Sequence, residues 1–325
     1  MTKARLSAII KENVQFASQD QQGPMAGGAV CVFSGAMSGI GAKILEKMVV
    51  MFRQSATFYV LGNFSEPTQA HRKRVLDGLL NRGCKIVFID ADPSLISDMD
   101  SASSQILIAE NKVDYLCISK DDFPPPRAAP ATKEASDQDM AVWYFARMRL
   151  VSNLLPLLCR SQKPRILNIL NGGVDKSTKK PYRYIHGGSL LERTALLTKL
   201  AFHHLATENP HITLITSAIG LSNAATSHCA EASKTSVRIS QALRAARSSV
   251  MERIVGTPPD EALERHLYYL TSSDCSPGSL IADENDELVS YSLPVFEDKR
   301  HDEVWDFTVR FCEEALASSA GTGSK

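Results

Sequence analysis

The seven cysteines of this sequence are odd in number and include no Cys-x-x-Cys pair. Disulfide frameworks and cysteine-rich zinc sites use paired, closely spaced cysteines, so both are disfavoured. No run approaches the roughly 20 apolar residues that a membrane-spanning helix needs. The first 15 residues also lack the apolar core of a secretion signal. These absences predict a cytoplasmic protein without a membrane partner.

The sequence has no excess of charge of either sign, because 36 basic residues balance 36 acidic ones among 325. Surfaces that bind nucleic acid or acidic lipid usually carry a basic excess, so neither partner is expected. The hydrophobic share of 44% is close to the globular average, which excludes a disordered or collagen-like chain. The chain shows no internal repeat and no linker between two cores.

Short apolar runs alternate with longer segments of helical period. The predicted strands are 29–34, 56–61, 84–89, 113–119, 164–170, 211–217 and 287–293, and the predicted helices are 40–53, 68–82, 94–110, 137–158, 189–208, 235–254, 259–272 and 302–316. Continuous apolar runs are typical of parallel strands that are buried on both faces. The alternation predicts an α/β fold, with helices on both faces of a doubly wound parallel sheet of about seven strands in the order 3-2-1-4-5-6-7.

This pattern also suggests the limits of the domain. Residues 1–28 are expected to form an N-terminal helical arm, 29–316 a single domain and 317–325 a disordered tail. The proline-rich segment 120–137 is expected to be a loop, because prolines interrupt a helix.

A glycine-rich turn follows the first predicted strand, in the sequence AVCVFSGAMSGIGAKILEKM at 29–48. Glycines at such a turn let backbone N–H groups approach a pyrophosphate at the positive end of a helix. The turn resembles the TGxxxGIG motif of the short-chain dehydrogenase/reductase superfamily, with Ser34 in the threonine position. The segment NPHITLITSAIG also resembles that superfamily, at its sixth strand and the turn that follows. The segments RMRLVSNLLPLL, DEALERHLYYLTSS and DEVWDFTVRF resemble a fungal subgroup from natural-product gene clusters. The resemblance covers about residues 28–316 and implies a Rossmann-like fold.

The resemblance implies a dinucleotide site, and NADP is favoured over NAD because Asn63 stands where an acidic residue would bind the NAD ribose. The basic residues 71–74 lie nearby but are expected to form a solvated helix face. The residues implied to contact the cofactor are Gly35, Ser38, Gly39, Ile40, Gly41, Asn63, Asp92 and Ser119. Asp121 takes the place of a glycine beside the cofactor, where it would crowd or repel a dinucleotide. Whether a cofactor binds is therefore open at this stage.

The catalytic set of the resembling superfamily, Asn-Ser-Tyr-Lys, is incomplete. None of the eight tyrosines has a lysine four residues later. Leu170 and Asn171 stand where the superfamily has Ser-Ser, and counting onward from Asn171 reaches Tyr184, with Gly188 in the lysine position. Alignment on the following helix instead moves the tyrosine position to about Ile185 or Gly187, and neither register supplies a lysine. The asparagine position falls near Trp143.

Asn171, Tyr184, His186 and Trp143 are the candidate catalytic residues. Asn171 could hold a carbonyl oxygen and Tyr184 could donate a proton, whereas His186 could act as a base near neutral pH. The pocket is expected beyond the carboxyl ends of strands four to six, with the segment 219–234 as its lid. Its apolar walls suit a large hydrophobic small-molecule substrate.

No metal site is expected, because the adjacent residues His203 and His204 point to different sides of a helix. The helices 137–158 and 189–208 carry apolar stripes, and their counterparts in the resembling superfamily pack across a two-fold axis. A homodimer or homotetramer is therefore expected.

Three functions are compatible with the sequence. The favoured one is a biosynthetic enzyme of fungal-type secondary metabolism that cyclises, isomerises or rearranges a large hydrophobic intermediate without hydride transfer. The first alternative is an NAD(P)H-dependent reductase with a substituted catalytic set, because the phosphate turn is intact. The second alternative is a catalytically silent binding partner. Fold analogy alone does not decide among them.

Overall fold

A computed structural model describes most of the regular structure of the chain. The described residues are 3–19, 28–52, 56–64, 73, 84–93, 95–119, 140, 144–171, 190–219, 259–272, 274–282, 287–291 and 300–321. The helices in these ranges are α1 (Lys3–Gln19), α2 (Gly39–Phe52), α3 (Ile96–Ala109), α4 (Ala146–Leu158), α5 (Leu190–Glu208), α6 (Pro259–Thr271) and α7 (Arg300–Gly321). The strands are β1 (Ala29–Ser34), β2 (Ala56–Gly62), β3 (Lys85–Asp90), β4 (Tyr115–Ile118), β5 (Arg165–Asn171), β6 (Thr213–Ile219), β7 (Gly278–Ala282) and β8 (Leu288–Ser290).

All eight strands belong to one sheet, in the order β3-β2-β1-β4-β5-β6-β7-β8. The pairs from β3 to β7 are parallel, which confirms the doubly wound α/β fold and the predicted strand order. The identity of the seventh strand was predicted wrongly. The run at 287–293 contains β8, which is antiparallel to β7 and closes the edge of the sheet. The seventh parallel strand is β7, whose sequence GSLIA is too short and too rich in small residues to stand out.

Several predicted helices have different bounds in the structure. The helix predicted at 302–316 begins at Arg300 and ends at Gly321, and a π-helical turn at Tyr144 and Phe145 precedes α4. The predicted helices at 68–82 (apart from Lys73) and 235–254 lie outside the described residues, as does the loop 120–137. Among the described helices, none combines the length and the apolar character that crossing a membrane requires.

Two apolar cores lie on opposite faces of the sheet. One contains side chains of α3, α4, α5 and α7, and the other contains side chains of α1, α2 and α6. The strands supply both cores because alternate residues point to opposite faces: Val32 belongs to the first core and Phe33 to the second. Burial on both faces explains why the strands are continuous apolar runs.

The C-terminal helix α7 packs mainly on α5, with further contacts to α3 and α4. Leu154 of α4 and Phe202 of α5 are both fully buried within the single chain. The apolar stripes that we expected at a dimer interface are therefore already covered by this chain's own helices. The homo-oligomer itself stays a prediction.

Candidate functional site

The glycine-rich turn joins the carboxyl end of β1 to the first residue of α2. Gly35 and Gly39 have φ angles of 74° and 59°, a region that residues with a Cβ rarely adopt. The first turn of α2 is closed by the Ala42 N–H, which donates to the carbonyl oxygen of Ser38 at 3.2 Å. Ser38, Gly39 and Ile40 are partly exposed, whereas Gly41 is buried. The turn thus presents a helix N-terminus, where backbone N–H groups and the helix dipole favour an anion.

Ser119 fixes this turn from the neighbouring strand. Its N–H donates to the carbonyl oxygen of Ser34 at 2.9 Å, and its hydroxyl donates to the carbonyl oxygen of Gly35 at 2.6 Å. The side chain is buried, with 6% of its surface exposed. Ser119 therefore holds the turn in place from the end of β4.

The loops after β2 and β3 meet beside the turn. The carboxylate of Asp90 accepts a hydrogen bond from the Phe64 N–H at 2.9 Å, and the Ala91 N–H donates to the carbonyl oxygen of Gly62 at 3.0 Å. Both Asn63 and Asp92 are partly exposed at this edge. Asp90 was missed by sequence reasoning, although its position as the last residue of a strand could have indicated it.

The cation of Lys73 lies next to the loops that follow β2 and β3. The ammonium of Lys73 is 5.5 Å from the ring centre of Phe64 and 5.1 Å from that of Phe88, and the two rings pack edge to face. Both distances are within the range of a cation–π contact. Positive charge is thereby held near the end of β2.

Of the four candidate catalytic residues, Asn171 lies in the described part of the chain. Asn171 is the last residue of β5 and is paired with Ile219 of β6, so its backbone lies at the carboxyl edge of the sheet. Trp143, Tyr184 and His186 lie outside the described residues, and so do Asp121 and most of the segment 219–234. Their meeting at one pocket stays a prediction.

Sequence reasoning missed Arg147, a buried cation that contacts β5 near the carboxyl edge of the sheet. The guanidinium of Arg147 on α4 donates to the side-chain oxygen of Asn168 at 2.6 Å and to the carbonyl oxygen of Ile169 at 3.1 Å. Burial lowers the pKa of Arg147 to about 10 and raises the pKa of the nearby Cys117 thiol to about 12. Both pKa values leave Arg147 charged and Cys117 neutral at pH 7. An arginine within the apolar segment RMRLVSNLLPLL was the only signal for this contact.

The side-chain nitrogen of Asn168 is buried and has no hydrogen-bond partner in the described part of the chain. Asn168 lies three residues before Asn171 on β5, so about 10 Å of strand separates it from the carboxyl edge. The arrangement can hold an anion at the glycine-rich turn, and the backbone of Asn171 lies at the carboxyl edge of the same sheet.

The sequence of the chain is similar to those of fungal oxidoreductases, although no family model matches it. An oxidoreductase of Emericella nidulans is 30% identical over 188 residues, which cover 57% of this chain and 55% of the relative. An NmrA-like family domain-containing oxidoreductase of an Aspergillus species is 29% identical over 203 residues, covering 59% of this chain and 60% of the relative. The matches thus span little more than half the length of these relatives.

Solved structures with the same fold cover more of the chain at lower identity. RhlG of Pseudomonas aeruginosa, solved as an NADP active-site complex, is 18% identical with a TM-score of 0.51, covering 79% of this chain and 96% of that one. An alcohol dehydrogenase of Thermococcus sibiricus, complexed with 5-hydroxy-NADP, is 15% identical with a TM-score of 0.50, covering 82% and 98%. At such identity the likeness concerns the fold alone. The chain is thus similar in sequence to oxidoreductases of fungi and similar in fold to a short-chain dehydrogenase of Pseudomonas syringae, which is 18% identical with a TM-score of 0.51.

Proposed function

We propose that the chain is an NADP(H)-dependent oxidoreductase of fungal-type secondary metabolism that acts on a large hydrophobic carbonyl or alcohol substrate. The glycine-rich turn carries this proposal. Gly35 and Gly39 adopt φ angles that favour glycine, and Ser119 holds the turn from the end of β4. The names of the curated relatives, which are oxidoreductases, support hydride transfer over the non-redox reaction that the sequence alone favoured.

The adenosine end of the site favours NADP over NAD. An acidic residue directly after β2 would bind the two ribose hydroxyls of NAD, but this chain has Asn63 there. The Asp90 carboxylate already accepts the hydrogen bond from Phe64, and Lys73 brings a positive charge to the same corner. A 2′-phosphate would be attracted by that charge, whereas an uncharged ribose would gain nothing from it.

The candidate catalytic residues would have to work without the usual lysine. NADPH, when bound, supplies the hydride to a carbonyl carbon. Asn171, at the end of β5, would donate a hydrogen bond to the carbonyl oxygen, and Tyr184 would deliver the proton to it. His186 would reprotonate Tyr184. A tyrosine without a neighbouring ammonium keeps a pKa of about 10, so it donates a proton well but is a poor base. Reduction is therefore favoured over oxidation.

A second candidate function follows from the absence of any tyrosine with a lysine four residues later. An enzyme that does not transfer hydride could still hold one reactive conformer of its substrate through Asn171 and Tyr184. It would then cyclise, isomerise or rearrange that substrate. Such a reaction needs no reduced cofactor.

The test is a titration of the full chain with NADPH, NADP⁺ and NADH by calorimetry, followed by turnover of hydrophobic ketones with NADPH. The proposal expects NADPH to bind at least tenfold more tightly than NADH and to be consumed in equal amount with the product. Asn171→Ala and Tyr184→Phe should each slow turnover about 10²–10³-fold while NADPH affinity stays the same. Turnover that is independent of NADPH would support the second candidate, and absence of any nucleotide binding would overturn the proposal.

A further inference from the structure

Three polar side chains meet where the C-terminal helix α7 begins and crosses α5. The Nδ1 atom of His204 lies 2.6 Å from Oδ1 of Asp302, and the Nδ1 atom of His301 lies 3.0 Å from the same oxygen. The ligand atoms of these three residues all lie within 4.8 Å of one another. His204 belongs to α5, whereas the other two residues belong to the first turn of α7, so the cluster joins two helices that are far apart in sequence.

The Nδ1 atom of His301 is buried and makes no hydrogen bond in the described part of the chain. Its 3.0 Å contact with Asp302 therefore lacks the geometry of a hydrogen bond. A buried polar atom without a partner is costly unless something else binds it. A metal ion between this nitrogen and the Asp302 carboxylate would satisfy both groups at once.

Aromatic contacts hold the two imidazole rings. The ring of His204 stacks on the indole of Trp305, with ring centres 5.7 Å apart and an angle of 21° between the planes. The ring of His301 packs edge to face on that of His203, with centres 5.0 Å apart. Rings that are positioned in advance lose less entropy when they bind a ligand.

We propose that His204, His301 and Asp302 form a site for a divalent transition metal of the zinc type. Two imidazole nitrogens and one carboxylate oxygen are ligands that Zn²⁺ accepts, with bonds of about 2.0–2.2 Å in a tetrahedral arrangement. Tetrahedral geometry places ligand atoms about 3.3 Å apart, so the 3.0 Å contact between His301 and Asp302 would open by about 0.3 Å and the 2.6 Å contact between His204 and Asp302 by about 0.7 Å. Because more than half of the Asp302 side chain is exposed, metal and a fourth ligand, water, can reach the site from solvent.

The proposed metal has a structural role, because the site lies away from the catalytic edge. Helix α5 starts after the carboxyl end of β5 and ends before the amino end of β6, and His204 is in its last two turns. The site is therefore near the amino edge of the sheet. Metal bound there would fasten α7 to α5 and keep it over the face that α4 and α5 would otherwise expose.

The experiment uses the full chain, freed of metal with a chelator and then titrated with Zn²⁺ by calorimetry and with Co²⁺ by visible absorption. We expect one ion per chain with micromolar or tighter affinity, a higher melting temperature with Zn²⁺, and a Co²⁺ spectrum without thiolate charge-transfer bands. His301→Ala and Asp302→Asn should each weaken binding at least tenfold. Asp306→Asn, which removes an exposed carboxylate one turn further along α7, should leave it unchanged.

Circular dichroism of each variant separates loss of the site from loss of the fold. Asp302→Asn is the more secure variant, because its side chain is largely exposed and the amide has the same shape. Absence of binding to the folded parent chain would overturn the proposal. So would equal affinity for the parent chain and Asp302→Asn, or thiolate bands that show the ion bound to cysteine.

Discussion

A Cβ atom on Gly41 would lie against the hydroxyl of Ser119, too close for the two atoms to coexist. The same Cβ would lie 2.7 Å from the carbonyl oxygen of Gly35. The hydrogen bond from Ser119 to Gly35 therefore occupies the space that any other residue at position 41 would need. The requirement for glycine at position 41 thus arises from packing between β4 and the turn.

Gly41→Ala should destabilise the fold by about 1–3 kcal/mol, which is the usual cost of overpacking a filled interior. Ser119→Ala alone should cost about 1 kcal/mol through the lost hydrogen bond. Together the two substitutions should cost less than the sum of the single ones, because the smaller side chain at 119 relieves part of the collision. Urea unfolding of the four proteins measures this coupling, and strictly additive costs would contradict it.

Gly39→Ala should weaken NADPH binding, if the glycine-rich turn holds the pyrophosphate as proposed. The φ angle of 59° at Gly39 disfavours a residue with a Cβ by about 1–2 kcal/mol, so the turn would shift. A loss of about 1.4 kcal/mol of binding free energy lowers the affinity tenfold, so we expect the affinity of Gly39→Ala for NADPH to fall tenfold or more. The larger side chain of Gly39→Val should abolish binding.

Gly278→Ala is the matched control for that substitution. Gly278 also has a positive φ, 126°, but it begins β7, and apart from its chain neighbours no atom of the described residues lies within 4 Å of its potential Cβ. Its replacement should lower stability and leave NADPH affinity unchanged. Calorimetry on both variants compares the two effects; equal affinity for Gly39→Ala, Gly39→Val and the parent chain would show that the turn is only structural.

Asp114 joins three elements at the amino edge of the sheet, away from the proposed site. Its buried carboxylate accepts hydrogen bonds from the Val30 N–H at 2.9 Å and the Ser161 hydroxyl at 2.6 Å, and it pairs with Lys112 at 3.0 Å. Asp114→Ala leaves these donors without a partner, so it should cost about 2–4 kcal/mol of the free energy of unfolding. Ser161→Ala removes only one of these contacts, so it should cost about 1 kcal/mol of the free energy of unfolding. If urea unfolding showed a similar loss for both variants, the three contacts of Asp114 would not contribute to stability as expected.

Periodicity and residue type were enough to predict most of the sheet. Six of the eight strands, from β1 to β6, were located within two residues of their observed ends, because buried parallel strands are continuous apolar runs. The glycine-rich turn was also located, since only glycine tolerates its backbone. In contrast, β7 was missed because its few apolar residues resemble a loop.

Contacts between distant parts of the chain could not be predicted. Helix α7 has an apolar stripe, but its sequence does not tell which helix that stripe covers. His204 and Asp302 are 98 residues apart, and only the packing of α7 on α5 brings them together. Arg147 and Asn168 likewise meet because α4 crosses β5. A single sequence contains no direct record of such pairs.

The pair of Asp100 and Arg149 predicts a pH-dependent contribution to stability. Arg149 donates two hydrogen bonds to the Asp100 carboxylate, at 2.5 Å and 2.8 Å, and Asn153 donates a third at 2.6 Å. Burial by itself would raise the pKa of Asp100, but the hydrogen bonds from Arg149 and Asn153 outweigh it and hold this pKa below its usual value of 3.8. A carboxyl group with a lowered pKa stabilises the folded state above its unfolded pKa, and the contribution disappears as the pH falls through the folded pKa.

Asp100→Asn should therefore lower the free energy of unfolding by about 1 kcal/mol at pH 7, a value that allows for the partial exposure of the pair. The difference from the parent chain should be constant down to about pH 4 and shrink at lower pH, as Asp100 of the parent becomes protonated. Asp306→Asn removes the same charge from an exposed position, so it should change stability by only a few tenths of a kcal/mol at either pH. Urea unfolding of the three proteins between pH 3 and pH 7 measures the effect. A difference between Asp100→Asn and the parent that grew as the pH fell would mean that the folded state raises the pKa of Asp100.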